Sequence, residues 1–321
     1  MSESWNPGER EMTPESAVLS RRRWLKHAGL IGLPALAAGA GFWWWYRGSD
    51  QEVVNRGAYP GPGTDLYPAR RNADFKEVDR EISPETPVAR YCNFYEFSKT
   101  KQVWRYVEPF QPVPWQLEVT GLVAKPKTYD QDDLVRAFPL EERVYRHRCV
   151  EAWAMVVPWT GFALAKLIRA AGPLPEARFV RFVSFDRPQE ANRQAGRLEP
   201  WPYTEGLTLA EATHELAFIA TGMYGHPLLK QYGAPVRLVV PWKYGYKSAK
   251  SLVRIELTEE KPATFWNTLV PWEYDFQANV NPEVRHPRWS QAREWMLGTG
   301  EVYETQIYNS YGEWVAGLYR S

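Results

Sequence analysis

The run from Arg143 to Trp159, RVYRHRCVEAWAMVVPW, constrains this chain more than any other stretch. It opens with four cationic or potentially cationic side chains, Arg143, Arg146, His147 and Arg148. Cys149 and Glu151 follow, and then an apolar run closed by Pro158 and Trp159. A thiol directly behind an Arg-rich segment sits in a positive field, which favours thiolate, the form that binds metals and attacks electrophiles. The competing reading is a buried cysteine beside the start of a helix. A protein zinc site wants about four ligands. The five histidines, His27, His147, His214, His226 and His286, are scattered without H-x-x-x-H spacing. So either Cys149 binds no metal, or the metal arrives with its other ligands.

The leader is the next most informative segment. Ser20 to Lys26 reads SRRRWLK, paired arginines before an aromatic and a leucine, which matches the twin-arginine export pattern. Behind it, Ala28 to Tyr46 carries no charge, with Gly and Pro34 inside it, as in a weak export-type hydrophobic region. Two readings stand: a signal cleaved near Ala35-Leu36-Ala37 or Ala38-Gly39-Ala40, and a retained anchor, at the short end of the ~20 residues a span needs. The Trp43-Trp44-Trp45-Tyr46 cluster before Arg47 resembles an interfacial belt. Either way the expected destination is the outer face of the membrane, the periplasm. Residues 1–46 are thus assigned to the leader, 47–90 to an extended segment wrapping the domain, and 91–321 to one catalytic domain. Only two cysteines, Cys92 and Cys149, occur. An even count in an exported chain allows a disulfide, though a domain of this size does not need one. A formal net charge of +1 gives no support for a nucleic-acid binder.

Within the domain, alternation predicts strands over Trp115–Val123, Arg178–Phe185, Leu216–Met223, Val236–Val240 and Ser251–Ile255. Helices are expected over Gln131–Arg136, Gly161–Ala171 and Leu207–Ala212, with Asp186–Pro202 a long polar loop. Strands interspersed with short helices give a mixed, β-rich α+β fold. Two further stretches carry chemistry. Arg90–Ser98, RYCNFYEFS, is an aromatic-rich strand or turn; Gly233–Glu256 holds a Lys-Tyr-Gly-Tyr-Lys turn between β-rich runs. Lysines and backbone amides on a glycine turn suit a phosphate, although such turns are more often simply solvated.

Taken together, FPLEERVYRHRCVEAWAMVVPWTGF, the Asn-Phe-Tyr-Glu-Phe phrase from Asn93 and the passage Gly233–Glu256 resemble molybdopterin enzymes with the sulfite-oxidase fold. More narrowly they resemble the catalytic subunits of periplasmic protein-methionine-sulfoxide reductases. The resemblance runs from about Cys92 to the C-terminus. It implies a Mo-molybdopterin cofactor whose dithiolene supplies the missing metal ligands, with Cys149 the protein's ligand to molybdenum. It implies cofactor contacts from Asn93, Tyr95, Glu96, Ser184, Tyr232, Arg237, Ser248, Ala249 and Lys250. Two positions depart: Cys92 and Tyr232 stand where Asn and a side-chain amide are expected, so for Cys92 a backbone contact is what carries over. Glu151 is assigned a proton-relay or supporting role, against the alternative of a plain salt bridge to Arg146 or Arg148. Asn93 and Tyr274 would donate hydrogen bonds at the reacting centre. The implied reaction reduces a sulfoxide to a thioether with two electrons and two protons. The electrons would come from a haem-containing membrane subunit fed by the quinone pool; no C-x-x-C-H motif occurs in this chain. The competing enzyme is a sulfite oxidase, whose small dianion Arg143, Arg146 and Arg148 could receive. A non-catalytic exported binding module is the competing class.

Overall fold

In the computed structural model, residues 50, 52–76, 78–196 and 199–320 are described. The leader readings, twin-arginine motif and uncharged run alike, lie outside them. The chain divides into Met1–Glu52 and Val53–Ser321; the following concerns the second unit. No helix among the described residues is long and apolar enough to cross a membrane.

Two sheets form the frame. The first contains β1 (Gln116–Gly121), β2 (Lys127–Asp130), β5 (Phe179–Ser184), β6 (Thr204–Thr208) and β10 (Leu252–Thr258), in the order β2-β1-β10-β5-β6. The second contains β3 (Glu141–Arg148), β4 (Trp153–Ala163), β7 (Phe218–Met223), β8 (His226–Pro227), β9 (Arg237–Val239), β11 (Arg293–Met296) and β12 (Val302–Glu304). Its path is β12-β11-β4-β7-β8, with β3 on β4 and β9 on β7. Only β1–β10 and β4–β11 pair in parallel. This is the mixed, sheet-rich fold with short helices that the alternation predicts, and no doubly wound parallel sheet.

The centre of the second sheet is β4, every residue of which is buried. Its period of two still sorts the side chains. Ala154 and Val156 join Val144 and Met296 in a small cluster on one face. Trp153, Met155, Val157 and Trp159 point into the main core on the other. Such two-sided burial removes the polar alternation that usually betrays a strand.

Three boundaries differ from the sequence expectation. No helix begins near Cys149; the segment around it is a β3–β4 hairpin. The helix expected from Gly161 starts at Leu164, because Gly161, Phe162 and Ala163 are still paired with β7. The helix expected from Leu207 starts at Leu209, capped by a reciprocal Thr208–Glu211 box. Helix Leu164–Ala171 then packs Leu164, Leu167 and Ile168 inward and stops at Gly172, whose φ of 67° allows its N–H to reach the Ile168 and Arg169 carbonyls.

Gly161 marks the register shift between β4 and β7. A Cβ there would lie 1.9 Å from the Ile219 carbonyl oxygen. The neighbour is backbone in a central strand and has nowhere to go. Gly161→Ala is therefore expected to cost at least the roughly 1–3 kcal/mol of ordinary overpacking. A drop in urea midpoint with unchanged slope would show it, whereas a parent-like midpoint would mean that the two strands separate freely.

Candidate active site

The β3–β4 connection is short: Cys149, Val150, Glu151 and Ala152. The Cys149 N–H donates to the Trp153 carbonyl (2.9 Å) and the Ala152 N–H to the Cys149 carbonyl (3.0 Å). Ala152 takes a left-handed φ of 67° to close the turn. Cys149 thus sits at a hairpin tip held by a strand buried along its whole length.

Strand alternation decides where the cationic run goes. Arg146 and Arg148 point away from the Cys149 side: Arg146 pairs with Asp79, and Arg148 with Glu294 at 2.8 Å. Arg143 is held by Glu141, the Tyr145 hydroxyl and the Glu215 carbonyl. Only His147 of the four faces the cleft that Cys149 lines. The positive field expected around the thiol is therefore largely absent. Burial and the Glu151 carboxylate push Cys149 up to about 12, with Lys101 and Arg148 opposing. Without a metal the residue is a thiol, and coordination itself would have to remove the proton. Both cysteines are free, so no disulfide joins them.

Cys149 lines a cleft with a cavity volume of about 80 Å³. Asn93, Tyr95, Glu96, Glu151, Tyr232, Arg237, Ser248, Ala249, Lys250, Tyr274 and Cys92 all line it. Ser184 does not. It ends β5 behind the wall, and its hydroxyl donates to the Lys250 carbonyl at 2.6 Å. Cys92 turns its thiol to the Gln231 carbonyl at 3.5 Å, and burial pushes it up to about 11. The Tyr232 hydroxyl reaches the Glu85 carbonyl at 3.4 Å, away from any amide-like role.

Buried cations lie both behind the cleft wall and on it. Arg148, Lys243 and Lys247 are fully buried, and each meets a buried carboxylate: Glu294 at 2.8 Å, Glu211 at 2.6 Å and Glu205 at 2.8 Å. The lysines of the Lys-Tyr-Gly-Tyr-Lys turn are therefore spent on structure, contrary to the simple reading of that turn as a phosphate site. Arg237 and Lys250 are different. Arg237 donates to the carbonyls of Tyr232 (2.8 Å) and Ser248 (3.1 Å), and Lys250 to the Asn93 carbonyl (2.7 Å). No carboxylate pairs with either among the described residues. Burial pulls Arg237 down to about 9, and burial together with Arg237 pulls Lys250 down to about 8. Glu96, the nearest acid in that electrostatic environment, is itself pushed up to about 7 by burial. Two buried cations without counterions are costly unless an anion completes them.

Beside Cys149, one carboxylate collects the donors. Glu151 Oε2 accepts from Lys101 Nζ (2.5 Å), Asn93 Nδ2 (3.0 Å) and Trp153 Nε1 (3.1 Å), and stands 3.8 Å from the Cys149 thiol. Burial raises Glu151, but the Lys101 charge and these hydrogen bonds outweigh it, so the carboxyl sits below its usual range. Its salt bridge is with Lys101, not Arg146 or Arg148. Asn93 Nδ2 also approaches Cys149 Sγ at 3.6 Å. Aromatic rings close the mouth: Tyr91 against Trp153, Tyr95 against Trp266, and Trp266 against Tyr274, with centroids 5.0–5.5 Å apart. Burial pushes Tyr274 up to about 12, so it is a hydrogen-bond donor at neutral pH.

Lys101, His147, Trp153 and Trp266 escaped the sequence reading. Lys101 lies in a Ser-Lys-Thr-Lys run that looks like solvated surface, and only the fold of the Asn93 loop brings it inward. For His147 a signal existed, since a strand period of two places it on the Cys149 side. It needs Gly245 opposite: a Cβ there would lie 2.5 Å from its Nε2.

A family model, the oxidoreductase molybdopterin-binding domain, matches residues 105–266. The chain belongs to that family. It is a molybdopterin oxidoreductase, and its cofactor is Mo-molybdopterin. A crystal structure of the sulfane dehydrogenase SoxCD from Paracoccus pantotrophus is similar at 21% identity and a TM-score of 0.40. The match covers 47% of this chain and 40% of that one. The residues of the cleft fit the cofactor. Arg237 and Lys250 could supply positive charge to a pterin phosphate, and Cys149 could supply one soft ligand. Among the described residues no group of His, Cys, Asp and Glu could hold a metal by itself, which agrees with a metal carried in by its cofactor.

Proposed function

We propose that this molybdopterin oxidoreductase reduces methionine sulfoxide in exported proteins, returning oxidised methionine to the thioether. One observation carries the choice of substrate. Arg143, Arg146 and Arg148, the arginines of the sulfite reading, each pair with a carboxylate and do not line the cleft, and the mouth beside Cys149 is aromatic with a carboxylate, Glu151, at its edge. A carboxylate repels a dianion, whereas aromatic walls suit a neutral, polarisable sulfur centre.

The molybdenum cofactor, when bound, supplies oxygen-atom transfer and holds two electrons. The chain's residues do the rest. Asn93 and Tyr274 offer N–H and O–H donors toward the sulfoxide oxygen. Glu151 is placed to pass on protons, two of which are consumed as the S–O bond breaks and the oxygen leaves as water. The aromatic walls exclude water from the sulfur. The proposed setting is the periplasm, reached through residues 1–46 by the twin-arginine route, with electrons from a haem-containing membrane subunit.

The test uses purified, molybdenum-loaded protein with a reduced viologen dye as electron donor and methionine sulfoxide, free and in an oxidised unfolded protein, as substrate. Dye oxidation with kcat/KM well above that for any sulfite oxidation measured with an acceptor dye is the expected result. Faster sulfite oxidation with no sulfoxide reduction would replace this reading with the sulfite oxidase one.

A further inference from the structure

Lys101 does not line the cleft, yet it touches two residues that do. Its ammonium donates to Asn93 Oδ1 at 2.5 Å and to Glu151 Oε2 at 2.5 Å. Its own carbonyl accepts the Cys92 N–H at 3.1 Å, closing the base of the loop that carries Asn93. Two consequences follow from donor and acceptor inventory alone. A lysine has only donors, so it fixes which end of the Asn93 amide faces it: Oδ1 toward Lys101, Nδ2 toward Glu151 and Cys149. Asn93 is further anchored through its backbone carbonyl by Lys250. At Glu151, the donors from Lys101, Asn93 and Trp153 all converge on Oε2. Among the described residues no bond goes to Oε1, which leaves that oxygen to the cleft.

We propose that Lys101 is a positioning residue of the reaction centre. It sets the Asn93 amide so that its N–H groups face the thiol and the substrate side, and it holds Glu151 by one oxygen so that the other is presented to the reacting group. Neither contact is needed to hold the cofactor, whose phosphate is assigned to Arg237 and Lys250. Methionine sulfoxide as the assay substrate rests on the function proposed above; the role of Lys101 does not depend on it.

The experiment compares loaded parent, Lys101→Met, Lys101→Arg, Glu151→Gln and the Lys101→Met/Glu151→Gln double variant. Molybdenum per chain, melting temperature, kcat, KM and the Mo(V) electron-spin resonance spectrum are measured for each. Lys101→Met keeps the aliphatic stem and removes the donor. Its kcat should fall about 10–100-fold, the usual scale for residues behind a metal's direct ligands. KM should stay within about twofold, and metal content and melting temperature should remain at the parent's values. Lys101→Arg should recover part of the loss, since a guanidinium can bridge the two oxygens with a different geometry. In the Glu151→Gln background the lysine change should cost much less than in the parent, because both act through one group. The Mo(V) spectrum should shift in Lys101→Met. An unchanged kcat and spectrum would overturn the proposal. So would metal content and melting temperature that fall in step with activity, or an undiminished loss in the Glu151→Gln background. If the parent reduces no sulfoxide, the function proposal fails separately, and the spectrum still decides the role of Lys101.

Discussion

Cys149→Ser is expected to bring turnover to background while the protein keeps its fold and its pterin. The hairpin explains why the fold survives. Cys149 is placed by backbone bonds, its N–H to Trp153 and its carbonyl to Ala152, and neither involves the side chain. The Glu151 N–H, 3.5 Å from the sulfur, finds a serine oxygen equally acceptable. The chemistry does not survive, because a hard, poorly ionised hydroxyl replaces the one soft ligand that the protein supplies. The loss should exceed the roughly 10–100-fold typical of residues behind the direct ligands. The pterin should stay, because Arg237 and Lys250, the residues proposed to meet its phosphate, are unchanged. Activity and pterin content, measured on the same preparation, separate the two effects. Parent-like turnover in Cys149→Ser would remove the thiolate from the mechanism.

Why the sequence revealed the cleft's residues better than its architecture is visible at β3 and β4. The cysteine phrase was recognisable, but both strands that carry it were not. β4 is apolar on both faces and interrupted by Pro158, so period and strand composition argue against each other. β3 carries Arg143, Arg146 and Arg148, which by residue type look like surface. Arg143 is held by the nearby Glu141, but Arg146 and Arg148 are buried because Asp79 and Glu294, distant in sequence, come to meet them. Long-range pairing of this kind leaves no local pattern. The same cause hid Lys101 and misdirected the reading of Lys243 and Lys247. By contrast β1, β5 and the helix Gln131–Ala137 were legible within a few residues, since each alternates or repeats against a single core face.

The unmatched cations on the cleft wall lead to a second large effect, one with opposite signs in the loaded and unloaded protein. Among the described residues the Lys250 ammonium makes one hydrogen bond, to the Asn93 carbonyl, and it lies over the Phe94 ring. Lys250→Met removes a buried charge that has no counterion and fills the same space, so the unloaded chain should become more stable. Burial and Arg237 pull Lys250 down to about 8 from its ordinary 10.5. Between those values the unfolded chain holds a proton that the folded, unloaded chain has released. Stability of the unloaded parent therefore gains from this group as pH rises through that window. The difference between parent and Lys250→Met should shrink accordingly. With cofactor present the sign reverses. A charge-assisted contact to phosphate contributes about 1.5–3 kcal/mol, so retention should weaken by roughly 10- to 150-fold. Adding Arg237→Ala should bring the total to roughly 3–6 kcal/mol if the two act independently. It also strips hydrogen bonds from the Tyr232 and Ser248 carbonyls, so the double variant should fold less well as well as bind less. Pterin content after gel filtration and urea melts of loaded and unloaded protein read both signs. Normal pterin content in the double variant would show that these two cations serve the fold alone and that the cofactor's anionic end lies elsewhere.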